Sequence, residues 1–100
     1  SPYQDPLHPA VLRAISNVID SCNANNTEVS VCGEMSSDPV SAFVLYILGL
    51  KIFSMAPSAA PFVFDALDTH SKINKQKIKD QILHKNNADE VRTIIQEILS

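Results

Sequence analysis

Apolar residues first recur at helical spacing between Val11 and Ile19. The stripe comprises Val11, Leu12, Ile15, Val18 and Ile19, a spacing that places one apolar face on a helix of 3.6 residues per turn. Pro9 suits a first helical position, where no intrahelical partner needs its missing N–H. The pattern predicts a helix over about residues 9–22, followed by a turn at Asn23–Asn26, because asparagine favours turns and tolerates left-handed backbone.

Two short segments have the pattern of strands. Residues Glu28–Cys32 alternate in polarity, are β-branched at Val29 and Val31, and stop at Gly33. Residues Lys51–Met55 form a second short run of similar character. Alternation with β-branched residues, bounded by a glycine, predicts a strand.

A second helix is predicted between these strands. Asp38 and Pro39 provide an N-cap carboxylate followed by a proline, and Gly49 suits the C-terminal end. Residues 40–48 are apolar on nearly every side, so this helix must be covered from more than one direction.

Three more helices are predicted towards the C-terminal end. One follows a turn at Ala56–Ser58, with Phe62, Val63, Ala66 and Leu67 as its buried side. The others cover about residues 72–84 and 88–99, with apolar residues at Ile73, Ile78, Ile82, Leu83, Val91, Ile94, Ile95, Ile98 and Leu99. Asn87 and Glu90 have the spacing of a capping box.

The order helix, strand, helix, strand, helix predicts an α/β protein with parallel strands joined by right-handed crossovers. Two parallel strands do not make a stable sheet, because both faces and both edges need cover. We therefore expect the chain either to be the end of a larger α/β domain or to dimerise through its strands and the helix at 40–48.

Composition narrows the classes of function. The chain has 100 residues, 45% of them apolar, and a net charge of −3 without a dense basic cluster. One modest core is expected, and a nucleic-acid interface is not. No apolar run is long enough to span a membrane and no signal peptide is evident. Two cysteines are too few for a disulfide framework, which favours a reducing, cytoplasmic location.

Cys32, Gly33 and Glu34 are the first candidates for chemistry. They follow a predicted parallel strand, and active sites of α/β proteins lie at the carboxyl ends of strands. A thiol there can act as nucleophile, metal ligand or general acid. The neighbouring Glu28, Glu34 and Asp38 are acidic and favour the neutral thiol, which suits proton donation. The alternative is that Cys32 is a small buried strand residue.

The other reactive side chains have simpler interpretations. Cys22 falls at a helix end and is interpreted as structural. His8, His70 and His84 are far apart in the sequence, and each is interpreted as a surface residue. The lysines at 72, 75, 77 and 79 alternate with apolar residues and are expected on a solvated helix face. Ser54 ends the second strand and could touch a ligand.

The ordered set of motifs resembles a known family. His8–Arg13, the strand leading into Cys32–Pro39, the helix exit Leu48–Leu50 and the strand Ile52–Pro57 together resemble the C-terminal end of the phosphoenolpyruvate-utilising enzymes. The resemblance is greatest to the phosphoenolpyruvate–protein phosphotransferases, enzyme I of the sugar phosphotransferase system, above all the nitrogen-related form. It implies a C-terminal fragment of a (β/α)8 TIM barrel: residues 1–69 are its last two βα units, and residues 70–100 are a C-terminal helical tail.

The resemblance also implies a reaction. The full protein would bind phosphoenolpyruvate with Mg²⁺, transfer its phosphoryl group to a histidine and then to a histidine-containing phosphocarrier protein, release pyruvate, and form a homodimer. Cys32 matches the cysteine that protonates the methylene carbon of the enolpyruvate leaving group.

Other functional groups of the family have no match here. Its phosphate-binding arginines, Mg²⁺ ligands and acceptor histidine would precede Ser1; Arg13 is expected on a helix, and His8, His70 and His84 do not suit the acceptor role. The fragment alone is therefore expected to be inactive, because phosphoryl transfer depends on charge stabilisation. The alternatives are the C-terminal region of a pyruvate phosphate dikinase or phosphoenolpyruvate synthase, and a dimerisation module without chemistry of its own.

Overall fold

The computed structural model describes residues 5–28, 38–51, 57–70 and 72–100. These residues form five helices, which we number in chain order: α1 Pro9–Ala24, α2 Pro39–Ile47, α3 Ala60–Thr69, α4 Lys75–Leu83 and α5 Ala88–Leu99. The expected predominance of helix is confirmed. The interiors of the two predicted strands, 29–32 and 52–55, lie outside the described residues, so the strands and their parallel pairing stay predictions.

Helix α2 is the centre of the core. Ser41–Leu45 and Ile47 are all buried, and the helix packs against α3, α4 and α5. The prediction that this apolar helix is covered on several sides is confirmed, and the cover comes from its own chain. It therefore no longer supports association with a second copy, and a dimer stays a prediction without a surface assigned to it.

Helices α1 and α2 end in the same way, at a residue with positive φ: Asn26 after α1 and Gly49 after α2. Beyond α2, Gly49 has φ +105°; its N–H donates to the Tyr46 carbonyl at 3.0 Å, and the N–H of Leu50 donates to the Leu45 carbonyl at 3.0 Å. This pair of bonds is a Schellman motif. The same pair occurs beyond α1, from Asn26 to Asn23 at 3.3 Å and from Thr27 to Cys22 at 2.8 Å.

The left-handed residue after α1 is Asn26, with φ 55°. The predicted turn at Asn23–Asn26 is thus confirmed in its left-handed character, although α1 continues to Ala24, two residues beyond the predicted end.

The apolar stripe of α1 is narrower than predicted. Leu12, Ser16 and Ile19 are buried, whereas Val18 is 53% exposed. At 100° per residue, Val18 lies about 120° around the helix from Leu12, beyond the buried face. Its inclusion in the predicted stripe was wrong.

Helix α3 also differs from its prediction. It begins at Ala60, after a turn at residues 57–59, and only Val63 is buried, with Ala66 and Leu67 half-buried. Phe62 is 69% exposed and Phe64 is 58% exposed. Phe62 was predicted on the buried side, and this is wrong: α2 is the neighbour that packs on α3 among the described helices, and Phe62 is about 100° from Val63 around the axis.

The last two helices close the core. Asn74 caps α4 by accepting from the Lys77 N–H at 3.2 Å, and Ile78 and Ile82 are buried. Asn87 caps α5, accepting from the Glu90 N–H at 2.9 Å. The capping-box spacing is confirmed in part, since the Glu90 carboxylate accepts from the Asn87 side chain at 3.1 Å and not from its backbone.

One apolar cluster joins both ends of the chain. It includes Leu7, Leu12 and Ile19 from the first part, most of α2, and Ile82, Val91 and Ile95 from the last two helices. The division at residue 69/70 therefore does not separate two cores among the described residues.

Candidate functional site

The predicted catalytic residue Cys32, with Gly33 and Glu34 beside it, lies outside the described residues, but the helix that follows begins at a well-defined cap. Oδ2 of Asp38 accepts two hydrogen bonds from Ser41, one from the backbone N–H at 3.1 Å and one from the hydroxyl at 2.9 Å. Pro39 occupies the first helical position. The predicted helix start is confirmed, and the segment that carries Cys32 leads directly into it.

The histidines make local contacts at helix ends. Nδ1 of His8 accepts from the Ala10 N–H at 3.1 Å and so caps α1. The ring of His70 is half-buried and meets the Phe43 ring edge-on, with centroids 5.9 Å apart. His84 is exposed, and its Nδ1 lies 2.6 Å from the Asp80 carbonyl oxygen. The surface interpretation holds for His84 and is too simple for His8 and His70.

The lysine run is only partly a solvated face. Lys72 and Lys77 are exposed as expected. Lys79 is half-buried and pairs with the Asp20 carboxylate of α1 at 3.4 Å. Nζ of Lys75 lies 4.1 Å from the centroid of the Tyr46 ring. Two of these lysines therefore connect α4 to other helices.

Cys22 lies in the last turn of α1 as a half-buried free thiol. Its backbone carbonyl accepts the Schellman bond from Thr27. These contacts agree with its interpretation as a structural residue. Arg13, on α1 as predicted, donates from Nη1 to the Leu83 carbonyl at 2.8 Å.

A pair that the sequence pattern did not indicate joins Asp5 to Arg92. The guanidinium donates to both carboxylate oxygens, at 2.5 and 2.7 Å, and the Leu7 N–H also donates to Asp5 at 3.0 Å. The hydrogen bond from Arg92 is the main cause that lowers the pKa of Asp5. Asp5–His8 precede α1 as irregular backbone, and they are nevertheless tied to α5 through Arg92 and to the core through Leu7.

The described residues do not provide a magnesium site. They contain no group of three or more histidine, cysteine, aspartate or glutamate side chains arranged to hold a metal. Since Mg²⁺ prefers several oxygen ligands, we assign no described residue to it. Within the same ranges, no helix is both long and apolar enough to cross a membrane.

The described residues form a mostly helical domain around one core, in which four of the five helices begin at a side-chain cap. A family profile described as "PEP-utilising enzyme, PEP-binding domain" matches residues 1–71. The chain belongs to this family of phosphoenolpyruvate-utilising enzymes.

Individual relatives extend the match into the last helices. The phosphoenolpyruvate-protein phosphotransferase of Bacillus sp. (strain S) is 36% identical over 98 residues, 98% of this chain and 17% of that protein. The protein of the same name from Bacillus subtilis (strain 168) is 35% identical over 98 residues, 95% of this chain and 16% of that protein.

A relative with another name is similar over much of the same region. The multiphosphoryl transfer protein of Xanthomonas campestris pv. campestris is 37% identical over 90 residues, 90% of this chain and 11% of that protein. The chain thus spans less than a fifth of the length of each of these relatives.

Proposed function

We propose that the chain is the C-terminal part of a phosphoenolpyruvate–protein phosphotransferase. The full protein transfers the phosphoryl group of phosphoenolpyruvate to a histidine, and from there to a histidine-containing phosphocarrier protein, with release of pyruvate. The observation that carries this proposal is the similarity to the Bacillus sp. phosphotransferase over 98% of the chain, which includes α4 and α5. The family profile alone ends at residue 71.

The extent of that similarity favours the phosphotransferase over the dikinase or synthase alternative. Helices α4 and α5 supply Ile82, Val91 and Ile95 to the common core, so the tail is an integral part of this domain. A match that includes the tail therefore concerns the domain as folded, and relatives named as phosphotransferases provide it.

Cys32 is proposed as the proton donor. When the P–O bond of phosphoenolpyruvate breaks and the phosphoryl group bonds to the histidine nitrogen, the leaving group is enolpyruvate. Its electron pair moves to form the ketone, and C3 takes the proton from the Cys32 thiol, which leaves a thiolate. A neutral thiol is needed for this step, and the nearby Glu28 and Asp38, both exposed, favour it electrostatically.

The test is a pair of cysteine variants in the intact protein. C32A removes the proton donor, so pyruvate formation should fall by about 10²- to 10⁴-fold, the usual contribution of a general acid. The exchange of pyruvate methyl protons with deuterium, measured by NMR, should fall in parallel, since this exchange needs the proton donor but not the acceptor histidine. C22A is the matched control, because it removes the other thiol, which is free and half-buried.

Two outcomes contradict the assignment. If C32A forms pyruvate at nearly the rate of C22A, Cys32 is not the proton donor. If C32A loses phosphoryl transfer but keeps the deuterium exchange, Cys32 does not protonate C3 of the enolpyruvate.

The finer features of the proposal come from the family resemblance. They are the (β/α)8 barrel with Cys32 at the carboxyl end of a strand, Mg²⁺ held by residues outside this chain, a homodimer, and a cytoplasmic location. The match of the family profile to residues 1–71 is what supports them.

A further inference from the structure

A cleft of about 470 Å³ opens where α1 and α2 end and α3 and α4 approach them. Its walls include side chains from each of these parts of the fold: Asn23, Tyr46, Leu50, Lys51, Phe64 and Lys75. The volume lies within the range of small-molecule sites in proteins. Nothing in the proposed phosphoryl transfer uses these residues.

Two ammonium groups give this cleft a positive character. Lys51 and Lys75 are both exposed, and Lys75 is held over the Tyr46 ring at 4.1 Å from its centroid. No carboxylate occurs among the described residues that line the cleft. The acids of α3, Asp65 and Asp68, line a neighbouring groove. In a chain with a net charge of −3, this is a local site for an anion.

The rest of the lining is apolar and partly exposed. The ring of Phe64 is 58% exposed, whereas Leu50 is 2% exposed and forms part of the core. The Asn23 amide donates to the Gly49 carbonyl at 3.2 Å, which fixes the wall between α1 and the end of α2. A planar group placed on Phe64 would remove its apolar surface from water.

The cleft and the Asp38 cap lie at opposite ends of α2. The cleft is built at the C-terminal end of α2, whereas the segment carrying Cys32 leads into the N-terminal end. The 9 residues of α2 separate these ends by about 13 Å at the usual rise per residue.

We propose that this cleft binds a small organic anion that carries an aromatic or similarly planar apolar group. The carboxylate or phosphate lies between Lys51 and Lys75, where ammonium groups act as point charges, and the ring lies against Phe64.

Phenyl phosphate and benzoate are the probes, titrated into the intact protein and followed by ligand-observed NMR. Phenol lacks the charge and inorganic phosphate lacks the ring, so each should bind at least about tenfold more weakly than phenyl phosphate. Benzoate binding without phenyl phosphate binding, or the reverse, identifies which anion the lysines accept.

Variants test the assigned residues. K51M and K75M should each weaken phenyl phosphate binding about tenfold, and F64S should weaken it without changing the binding of inorganic phosphate. K77M is the matched control, since Lys77 is an exposed lysine of the same helix outside the cleft. All four positions are exposed, and circular dichroism verifies that each variant is folded.

Three results would overturn the proposal. They are the absence of saturable binding of both probes, equal affinity for phenol, and equal losses in K77M and K75M. None of these readouts depends on pyruvate formation, so they remain informative if the proposed phosphotransferase activity is wrong.

Discussion

Arg92 donates two hydrogen bonds to the carboxylate of Asp5, from Nη1 at 2.5 Å and from Nη2 at 2.7 Å. The two residues are 87 positions apart in the sequence. The pair attaches the segment before α1 to the last helix. Planar, two-point pairing of this kind needs arginine and is not reproduced by lysine.

Removing this pair should lower stability in a pH-dependent way. The side chains of Arg92 and Asp5 are 35% and 28% exposed, so we expect R92M to cost about 1 kcal/mol at pH 7. The pKa of Asp5 is lowered in the folded state from 3.8. A lowered pKa stabilises the fold above the unfolded value and loses that contribution as pH falls through the folded value. Urea unfolding at pH 7 and at steps below pH 4 should therefore show the R92M difference shrinking in acid.

R92K is the control for this pair, because lysine keeps the positive charge but cannot form the two parallel hydrogen bonds of the guanidinium. An unfolding free energy equal to that of the wild type for R92K would show that charge alone matters. A difference between R92M and wild type that is constant down to pH 2 would contradict the assignment to Asp5.

The second prediction concerns the two left-handed helix ends. Gly49 has φ +105°, and an added Cβ would lie 3.4 Å from Nδ2 of Asn23. G49A should therefore destabilise by about 1–3 kcal/mol, mostly through backbone strain. N26G should be close to neutral, because Asn26 already has φ 55° and glycine adopts that conformation freely. Thermal unfolding of both variants tests this; a neutral G49A would contradict it.

The third prediction contrasts two apolar residues of the sequence pattern. Leu45 is fully buried in α2, whereas Val18 is 53% exposed on α1. L45A should cost about 2–5 kcal/mol, since it removes packed atoms and leaves a cavity. V18A should change the unfolding free energy by less than about 0.5 kcal/mol. Urea unfolding measures both variants. Similar losses of unfolding free energy in the two would contradict the exposed position of Val18.

The features that could be predicted from sequence are those set by neighbours along the chain. Asp38 and Pro39 start α2, and Asn26 and Gly49 end helices, because caps and left-handed turns depend on a few adjacent residues. The predicted helix ends were less accurate: α1 ends at Ala24, two residues beyond its predicted end.

The features that could not be predicted depend on distant partners. Leu7 is fully buried although no periodicity surrounds it, because helices from elsewhere cover it. Phe62 and Val18 are exposed because no described helix packs on their flanks. The pairing of Asp5 with Arg92 has no local signal at all.

In the candidate site, too, some features depend on neighbouring residues in the sequence and others on distant ones. Its position after a predicted strand and its acidic neighbours in the sequence made Cys32 a candidate proton donor. Position alone, however, favoured a buried structural thiol. The resemblance to a family, and not the pattern, favoured the first interpretation. The cleft around Lys51 and Lys75 combines residues from four helical regions, so no local motif could have shown it.

The position of α5 has a consequence for folding during synthesis. Val91 and Ile95 complete the cluster around α2, and Arg92 secures Asp5. When synthesis has reached residue 80, α2 has been made, whereas α5, which covers part of it, has not. The nascent chain therefore keeps apolar surface open until α5 is released, and during that interval it is the natural target of chaperones that bind exposed apolar segments.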